Sequence, residues 1–528
     1  MSTADPIYLD YAATTPVDPL VVAAMNECLG VDADFANPAS VSHAPGRRAQ
    51  ARVERAREEV AALIGAAPGE IVFTSGATES NNLAVLGVAR ANADRGRHIV
   101  SSRIEHRAVL DPCRRLEKEG FSLTYVEPDR AGRISPEAVL AALRPDTVLV
   151  SLMHVNNEIG VVQDIAAIGA ICRARDIPLH TDAAQSVGKL PIDVGALFVD
   201  FLSLTAHKLY GPKGIGALFI RAGSRARLAA VSFGGGQERG LRPGTLATHQ
   251  IVGLGAACTL ARERTGEPER LGRLRDALWR GISVLGGTHL NGAGAPRIPG
   301  ILSVSIEGVD GESLVAGLTE LALSTGSACS SATGEPSYVL RALGRTSALA
   351  QSTLRFSLGR HTTEEDIDRA VAAVTREVSR LRAASPAYFQ RITDDGIIKS
   401  QNSRLIESDP LGPAVRRWFE GLPRAGTLKG APDVICGEAG GVDRDAWVRF
   451  HVQIADGVVK DARFQAYGCP HTLAVSAWLT EQLPGRKLSE LSIGEPADWA
   501  RALSVPVEKL GRLLVVEDAL RACVLSKP

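Results

Sequence analysis

Between residues 71 and 208, short apolar runs alternate with helical patterns, and this alternation constrains the fold more than any other feature of the chain. "EIVFTSG" precedes the helix-like "ATESNNLAVLGVARAN". "RHIVSSRIEH" reads as a strand, "AVLDPCRRLEKEG" as a helix and "FSLTYVEP" as a strand again. "SPEAVLAALRPD" is a helix opened by Ser-Pro. The buried-looking runs "TVLVSLMHV" and "IPLHTDAAQ" flank the helix "DIAAIGAICRARD", and "VDFLSLTAHK" follows. Such alternation predicts a mostly parallel sheet covered by helices. Sheets of this kind bind ligands beyond the carboxyl ends of their strands, so the residues after each strand are the ones to inspect. Upstream, residues 47–64 place Val53, Ala56, Val60, Leu63 and Ile64 on one helical face, with Gly65 as the stop signal.

From about residue 260 the pattern changes. Arg- and Leu-rich helices surround "GILSVSIEG" and "QSTLRFSLGR", predicting a smaller α+β subdomain that ends near 385. Residues 386–410 are polar and weakly patterned and read as a linker. "AWVRFHVQIADGVVKDARFQAYG" then alternates apolar and polar residues around Asp456-Gly457, a hairpin signal. Helical "HTLAVSAWLTEQL" and "VEKLGRLLVVEDALRAC" follow, so the last part of the chain reads as a separate small α+β domain. A length of 528 residues accommodates this division.

Lys+Arg and Asp+Glu both number 59, which argues against a general nucleic-acid binder. The start, "MSTADPIYLDYAATTP", lacks the basic and apolar regions of a secretory signal, and no apolar run is long enough to span a bilayer. A cytoplasmic protein is expected. None of its eight cysteines forms a C-x-x-C pair, and in a cytosolic chain they are expected to be reduced. Cys172 and Cys258 lie in apolar helical patterns and read as inert core thiols. Cys329 differs: "STGSACSSATGEP" surrounds it with small and polar residues that cannot bury it.

The strand ends carry chemistry. "LTAHKLYGPKGIGAL" places His207 and Lys208 after one strand, and "PLHTDAAQS" places Asp182 after another. A lysine and an aspartate so placed suggest a pyridoxal phosphate site, the lysine forming a Schiff base and the aspartate keeping the pyridinium nitrogen protonated. "FTSGATESNN" offers a phosphate cradle, where backbone N–H groups and the Thr78 hydroxyl meet the positive end of a helix. His106 follows a further strand, where an imidazole could stack on the ring and shuttle protons. Asn157 in "HVNNEIG" follows yet another. Each group alone has a structural reading; five strand ends carrying compatible groups are much harder to explain by chance.

These residues, with "YLDYAATTP", "NPASVSHAPGRRA", "GGGQERGLRPGTL" and "GSACSSA…EPSYVLRALG", resemble the cysteine desulfurases of the NifS/IscS class over residues 5–390. The resemblance implies a fold-type I, class-V aminotransferase homodimer: a mostly parallel seven-stranded sheet plus a small α+β subdomain. It implies that Lys208 carries the aldimine and moves the α-proton, Asp182 pairs with the pyridine nitrogen, Gln185 with the phenolic oxygen, and His106 stacks on the ring. Ala77, Thr78, Thr205 and His207 would hold the phosphate, with the partner subunit's Thr245 reaching in. Asn157 and Arg355 would orient L-cysteine, Arg355 gripping its carboxylate as a fork. Thr205-Ala206 stands where relatives commonly have Ser-Gly, and it retains a hydroxyl. Cys329 would attack the substrate sulfur, become a persulfide and carry the sulfur to an acceptor, which a buried thiol could not do.

Residues from about 405 resemble the NifU/IscU-type iron–sulfur scaffold family. "GAPDVICGEAGG" matches its first ligand segment at Cys436 and "VVKDARFQAYGCPHTLAVSAWL" its second at Cys469. Pro470 suits a first helical position, which places Cys469 where a helix terminus favours thiolate. Glu438 replaces the usual aspartate. The family's His-Cys pair falls on Gly511 and Arg512, so two ligands are gone. A cluster wants about four thiolate or imidazole ligands. Candidates to complete Cys436 and Cys469 are Cys329, His471, Glu438 and Cys523.

The expected division is therefore residues 1–390 as desulfurase, with a large subdomain at about 16–259 and a small one from 1–15 and 260–390. A linker at 391–404 and the scaffold-like domain at 405–528 complete it. The resemblance implies pyridoxal phosphate as cofactor, a 2Fe–2S cluster in transit, and iron–sulfur assembly or sulfur-acceptor proteins as partners, with no membrane and no direct nucleic-acid contact. Alternatives are sulfur relay or docking without cluster assembly, as in tRNA thiolation, and a selenocysteine lyase or aminotransferase. Fusion would make sulfur transfer intramolecular, at an effective concentration of roughly millimolar.

Overall fold

The computed structural model describes residues 5–224, 226–325, 336–384, 411–428, 433–441, 445–488, 491 and 493–525. A two-residue strand, β1 (Ile7–Tyr8), precedes the helices Pro19–Asn26 and Ala44–Ile64. The second of these starts earlier than its apolar face suggests. Pro45 suits the first turn, and the ring Nδ1 of His43 accepts from Gly46 N at 3.1 Å. It stops where expected, with Gly65 in the left-handed region at φ 69°.

Seven strands then build the main sheet: β2 (Ile71–Thr74), β3 (His98–Ser102), β4 (Ser122–Val126), β5 (Thr147–Ser151), β6 (Leu179–Asp182), β7 (Phe201–Thr205) and β8 (Gly216–Ile220). Their spatial order is β2-β8-β7-β6-β5-β3-β4. Six run the same way, and β8 lies antiparallel between β2 and β7. Alternate side chains feed two separate cores. Ile71, Phe73, Leu202, Leu204, Ala217 and Phe219 join one, while Val72, Phe201 and Leu218 join the other. The sheet is thus covered on both faces, which is why its strands read as unbroken apolar runs. Cys172 and Cys258 are buried in the helices Ile165–Ala174 and Thr248–Glu263.

The small subdomain holds β9 (Thr288–Leu290), β10 (Ile301–Ile306), β11 (Leu321–Ala322), β12 (Ser324–Thr325) and β13 (Thr353–Ser357). Four of these form an antiparallel sheet, β12-β13-β10-β9, and β1 pairs in parallel with β11. The helices Glu267–Ser283 and Glu364–Ala384 pack together beside it. The expected linker lies outside the described residues, as does Cys329.

The C-terminal domain is an antiparallel sheet of β14 (Val434–Gly441), β15 (Ala446–Ala455) and β16 (Val458–Tyr467), with the helices Pro413–Gly421, Pro470–Glu481 and Leu510–Leu525. The hairpin turns at Asp456-Gly457, where both residues have positive φ (53° and 75°), the two-residue turn that the dipeptide predicts. This domain does not stand apart. Leu314, Val374 and Val378 of the small subdomain belong to one apolar cluster with Phe419, Phe464 and Leu473. Arg380 donates to Phe419 O at 2.7 Å, Ser313 Oγ donates to Gly468 O at 2.7 Å, and Lys509 Nζ pairs with Glu312 at 2.9 Å. Among the described residues, no helix is long and apolar enough to cross a membrane.

Candidate active site

Ser75, Gly76, Ala77 and Thr78 follow β2, His106 follows β3, Asn157 follows β5, Asp182 ends β6, and His207 and Lys208 follow β7. All line one cavity of about 630 Å³, together with Gln185, Thr205 and Arg355. Because these strands run the same way, their carboxyl ends converge on one edge of the sheet, where an α/β fold binds its ligand.

The electropositive end of the cavity lies at the start of the helix Ala77–Ala91. Gly76 takes φ 150°, and the free N–H groups of the first turn sit at the positive end of the helix. Gly216 lets β8 approach this turn: a Cβ there would lie 2.7 Å from Gly76 Cα and 2.4 Å from Leu204 O. Glu79 braces the turn, accepting from Ser75 N and from Arg242 Nε, the latter at 3.1 Å. His207 Nδ1 lies 3.1 Å from Thr14 Oγ1. Burial, then Lys208 and Lys213, pull its pKa down to about 4, so it meets the site as a neutral ring.

Deeper in, Asp182 is 6% exposed and accepts from Asn81 Nδ2 at 2.7 Å and Ala184 N at 2.9 Å. Both of its oxygens are thereby fixed. His106 Nδ1 accepts from Ala108 N at 3.1 Å and so caps the helix Arg107–Lys118. Burial lowers its pKa, which keeps the imidazole neutral. Gln185 donates through Nε2 to Ala12 O at 2.8 Å and accepts from Lys189 Nζ at 3.0 Å.

On the substrate side, Arg355 is 3% exposed on β13. Its two terminal nitrogens donate to Asn157 O (3.0 Å) and Asp10 Oδ1 (2.7 Å). Its Nε has no partner, and neither has Asn157 Oδ1, although both are buried. Orphaned buried polar atoms cost on the order of 1–3 kcal/mol each. Both residues line the cavity, where a ligand carrying a carboxylate and donor groups fits such a pair. An aspartate with fixed oxygens, a lysine, a neutral imidazole and a helix N-terminus at the far end also match the parts of pyridoxal phosphate, and the residues fit that cofactor.

Sequence reasoning missed several members of this site. Asp10 and Asn81 orient the two charged anchors. Asn81 lies one turn beyond Ala77 on the same helix, a spacing that would have flagged it. Glu105, fully buried, accepts from Ser102 Oγ (2.8 Å) and Met153 N (2.9 Å), and burial raises its pKa to about 8. Glu158 is raised to about 7 by burial and accepts from Ser337 Oγ. Thr245 does not line the cavity. It is exposed and borders another pocket, beside the ion pair of the partly buried Arg57 with the buried Glu238.

The C-terminal cysteines sit in different surroundings. Cys436 is exposed on β14 with its sulfur 3.3 Å from His451 Nδ1, and Glu438 on the same strand pairs with Arg449 and with Trp447 Nε1. Cys469 caps the helix Pro470–Glu481, as Pro470 suggests, but it is fully buried against Glu312, Lys509 and Arg512. The helix terminus does not win there: burial and Glu312 raise its pKa despite the two cations. Cys436 lies in the row of β14 paired with His451, four positions before Gly440, whose row leads through Trp447 to Tyr467 and the end of β16. Four strand positions are roughly 13 Å. Cys523 lies beside Gly437, and His471 is buried with neither ring nitrogen partnered. Among the described residues, no three His, Cys, Asp or Glu side chains are grouped to hold a metal.

Comparison with known proteins covers both parts of the chain. The class-V aminotransferase family model matches residues 7–370, and the model of the NifU-like N-terminal domain matches residues 422–526. The cysteine desulfurase IscS of Aeromonas hydrophila subsp. hydrophila is 58% identical over 384 residues, 72% of this chain and 95% of that protein. The cysteine desulfurase IscS of Shewanella baltica strain OS223 is 55% identical over 397 residues, 75% of this chain and 98% of its own. Among solved structures, a NifS-like protein superposes with a TM-score of 0.66 at 35% identity, covering 71% of this chain and all of that one. A structure titled "SspA in complex with cysteine" superposes at 0.60 with 40% identity, covering 68% of this chain and all of its own.

Proposed function

Because this chain belongs to the class-V aminotransferase family, among its cysteine desulfurases, and continues into a NifU-like N-terminal domain, we propose that it converts L-cysteine to L-alanine, retains the sulfur as a persulfide on Cys329 and supplies it for iron–sulfur cluster assembly. The observation that carries this reading is the convergence of five strand ends and Arg355 on one cavity.

Bound there, pyridoxal phosphate supplies an electron sink conjugated to the substrate's amine. Lys208 would hold it, and its amine would move the α-proton of the substrate. Asp182, held by Asn81 and Ala184, is placed to keep the ring nitrogen protonated. Gln185 would offer a donor to the phenolic oxygen, and His106 would stack on the ring as a neutral imidazole. The N-terminus at Ala77 and Thr78, with Thr205 and His207, takes the phosphate. Arg355 grips the substrate carboxylate beside Asn157. The Cys329 thiolate then attacks the substrate sulfur: the Cβ–S bond breaks, an S–S bond forms, and the electron pair left on carbon is protonated to give alanine.

In this reading the enzyme works as a cytoplasmic homodimer. Leu20, Val22, Leu29, Val31 and Phe35, all exposed, support a subunit contact over residues 20–35. The position of Thr245 outside its own cavity supports its reaching the phosphate of the other subunit. Residues 1–390 are the desulfurase and 405–528 the acceptor, where Cys436 and Cys469, with Cys329, would hold a 2Fe–2S cluster in transit once the first two, set apart along the sheet, are drawn together. The experiment is anaerobic incubation with ferrous iron and L-cysteine, counting alanine against bound iron and sulfide in wild type and Cys469→Ser. Alanine together with iron and sulfide retained only by wild type supports both parts. Alanine without retention leaves the desulfurase and removes the cluster. No alanine removes the desulfurase.

A further inference from the structure

A second cavity, of about 460 Å³, lies behind the wall of the first. Lys208 lines both, Gln185 lines the first and Lys189 the second. The wall between them is the turn 183–190, held tight by Val187 N→Ala183 O (3.0 Å) and Leu190 N→Ser186 O (2.9 Å). Across it, Lys189 Nζ donates to Gln185 Oε1 at 3.0 Å.

From this arrangement, and resting on the cofactor reading above, we propose that Lys189 is a positioning residue: it fixes the flip of the Gln185 amide so that the amide nitrogen, a donor, serves the cofactor's phenolic oxygen. An amide has two faces of opposite character. As it stands, Oε1 receives Lys189 and Nε2 donates one of its two hydrogens to Ala12 O at 2.8 Å, leaving the second for the cavity. In the flipped state, Nε2 would face the lysine's own hydrogens and Oε1 would face the Ala12 carbonyl. The pairing with the Ala12 carbonyl repels in every state, and the pairing with Lys189 repels when the lysine is charged, since only the ammonium lacks a lone pair. Lys189 donates whether charged or neutral, and when charged it also polarises the amide and strengthens its N–H as a donor.

A lysine at this point is a burden on the fold. Its half-buried amine has Lys208 and Arg355 as fellow cations and Glu267 in opposition, and desolvation with these charges pulls its pKa to about 7. Packing alone would be better served by an apolar side chain of similar length. The hydrogen bond to Gln185 gives the residue a reason to be there.

The test uses the full chain, stripped of cofactor and titrated with pyridoxal phosphate. Wild type, Lys189→Met and Lys189→Arg are compared, and Lys189→Met is repeated in a Gln185→Ala background. Two readouts are taken at one fixed pH: the dissociation constant of the cofactor and the ratio of its two visible absorption forms. Lys189→Met is expected to weaken cofactor binding roughly three- to tenfold, the worth of one hydrogen bond, and to shift the ratio of forms. Lys189→Arg, which keeps the donor, stays near wild type, and Lys189→Met adds nothing once Gln185 is alanine. Lys189→Leu, which also lacks a donor, carries the same expectation should the methionine variant not fold. Unchanged binding and ratio in Lys189→Met overturn the proposal while leaving the cofactor reading intact, as does an equal effect in both backgrounds. A wild-type chain that takes up no cofactor overturns both.

Discussion

Replacing Arg355 by lysine separates charge from shape at the proposed carboxylate grip. The guanidinium spends two of its five donors on Asn157 O (3.0 Å) and Asp10 Oδ1 (2.7 Å), which leaves three N–H groups, that of the buried Nε among them, without a protein partner. An ammonium keeps the charge but concentrates three donors on one atom. It cannot hold Asn157 and Asp10 and still offer parallel N–H groups to a carboxylate. The substrate then loses one charge-assisted hydrogen bond, about 1.5–3 kcal/mol, and the loosened Asp10 adds about 1 kcal/mol. Together these lower kcat/KM on the order of 100- to 1000-fold. The carboxylate is gripped alike in ground and transition states, so most of the loss should fall on KM. Alanine release is followed against L-cysteine concentration, with cofactor occupancy monitored by its absorbance. A fully loaded Arg355→Lys enzyme with KM within about threefold of wild type would refute the assignment of Arg355 to the carboxylate.

Three further substitutions address other parts of the site. Asn81→Ala removes the 2.7 Å donor from Asp182; cofactor affinity should fall roughly tenfold or more, the worth of a hydrogen bond to a charged group, as read by reconstitution. Glu105 is raised to about 8 in the folded chain from an ordinary 4.5. Between those values the native state holds a proton that the unfolded state has lost, so stability falls as pH rises, by up to about 1.4 kcal/mol per pH unit. Glu105→Gln should flatten this slope, and Tm measured at pH 6 and pH 8 should drop less for the variant than for wild type. Arg57→Ala leaves Glu238 buried with only the Phe73 N–H at 2.7 Å to hold its charge; a loss of about 3–5 kcal/mol is expected, seen as a lower unfolding midpoint.

The strand ends were legible because their chemistry is local: a lysine, an aspartate, a histidine and a Gly-Ala-Thr turn each follow an apolar run, and a parallel sheet brings such ends together by its topology. The Asp456-Gly457 hairpin was legible for the same reason, since the dipeptide determines the turn. β8 was hidden behind "GPKGIGAL", whose glycines read as a turn, although Gly216 is there to let the strand pass beneath Gly76. Asp10, which reaches Arg355 from 345 residues away, left no local signal at all, and neither did the pairing of Glu312 with Lys509. The second ligand segment shows the opposite failure. Pro470 correctly predicted a helix start at Cys469, but helix position alone could not foresee that another domain's carboxylate and full burial would decide the state of the thiol.

The shared apolar cluster between the small subdomain and the C-terminal domain has a consequence for traffic between proteins. The face around residues 311–317 is already occupied by the chain's own domain, with Ser313 on Gly468 and Glu312 on Lys509. An acceptor arriving from outside must either compete for that face or use another. The socket on that side therefore comes already filled by the chain's own plug, before any visitor can reach it.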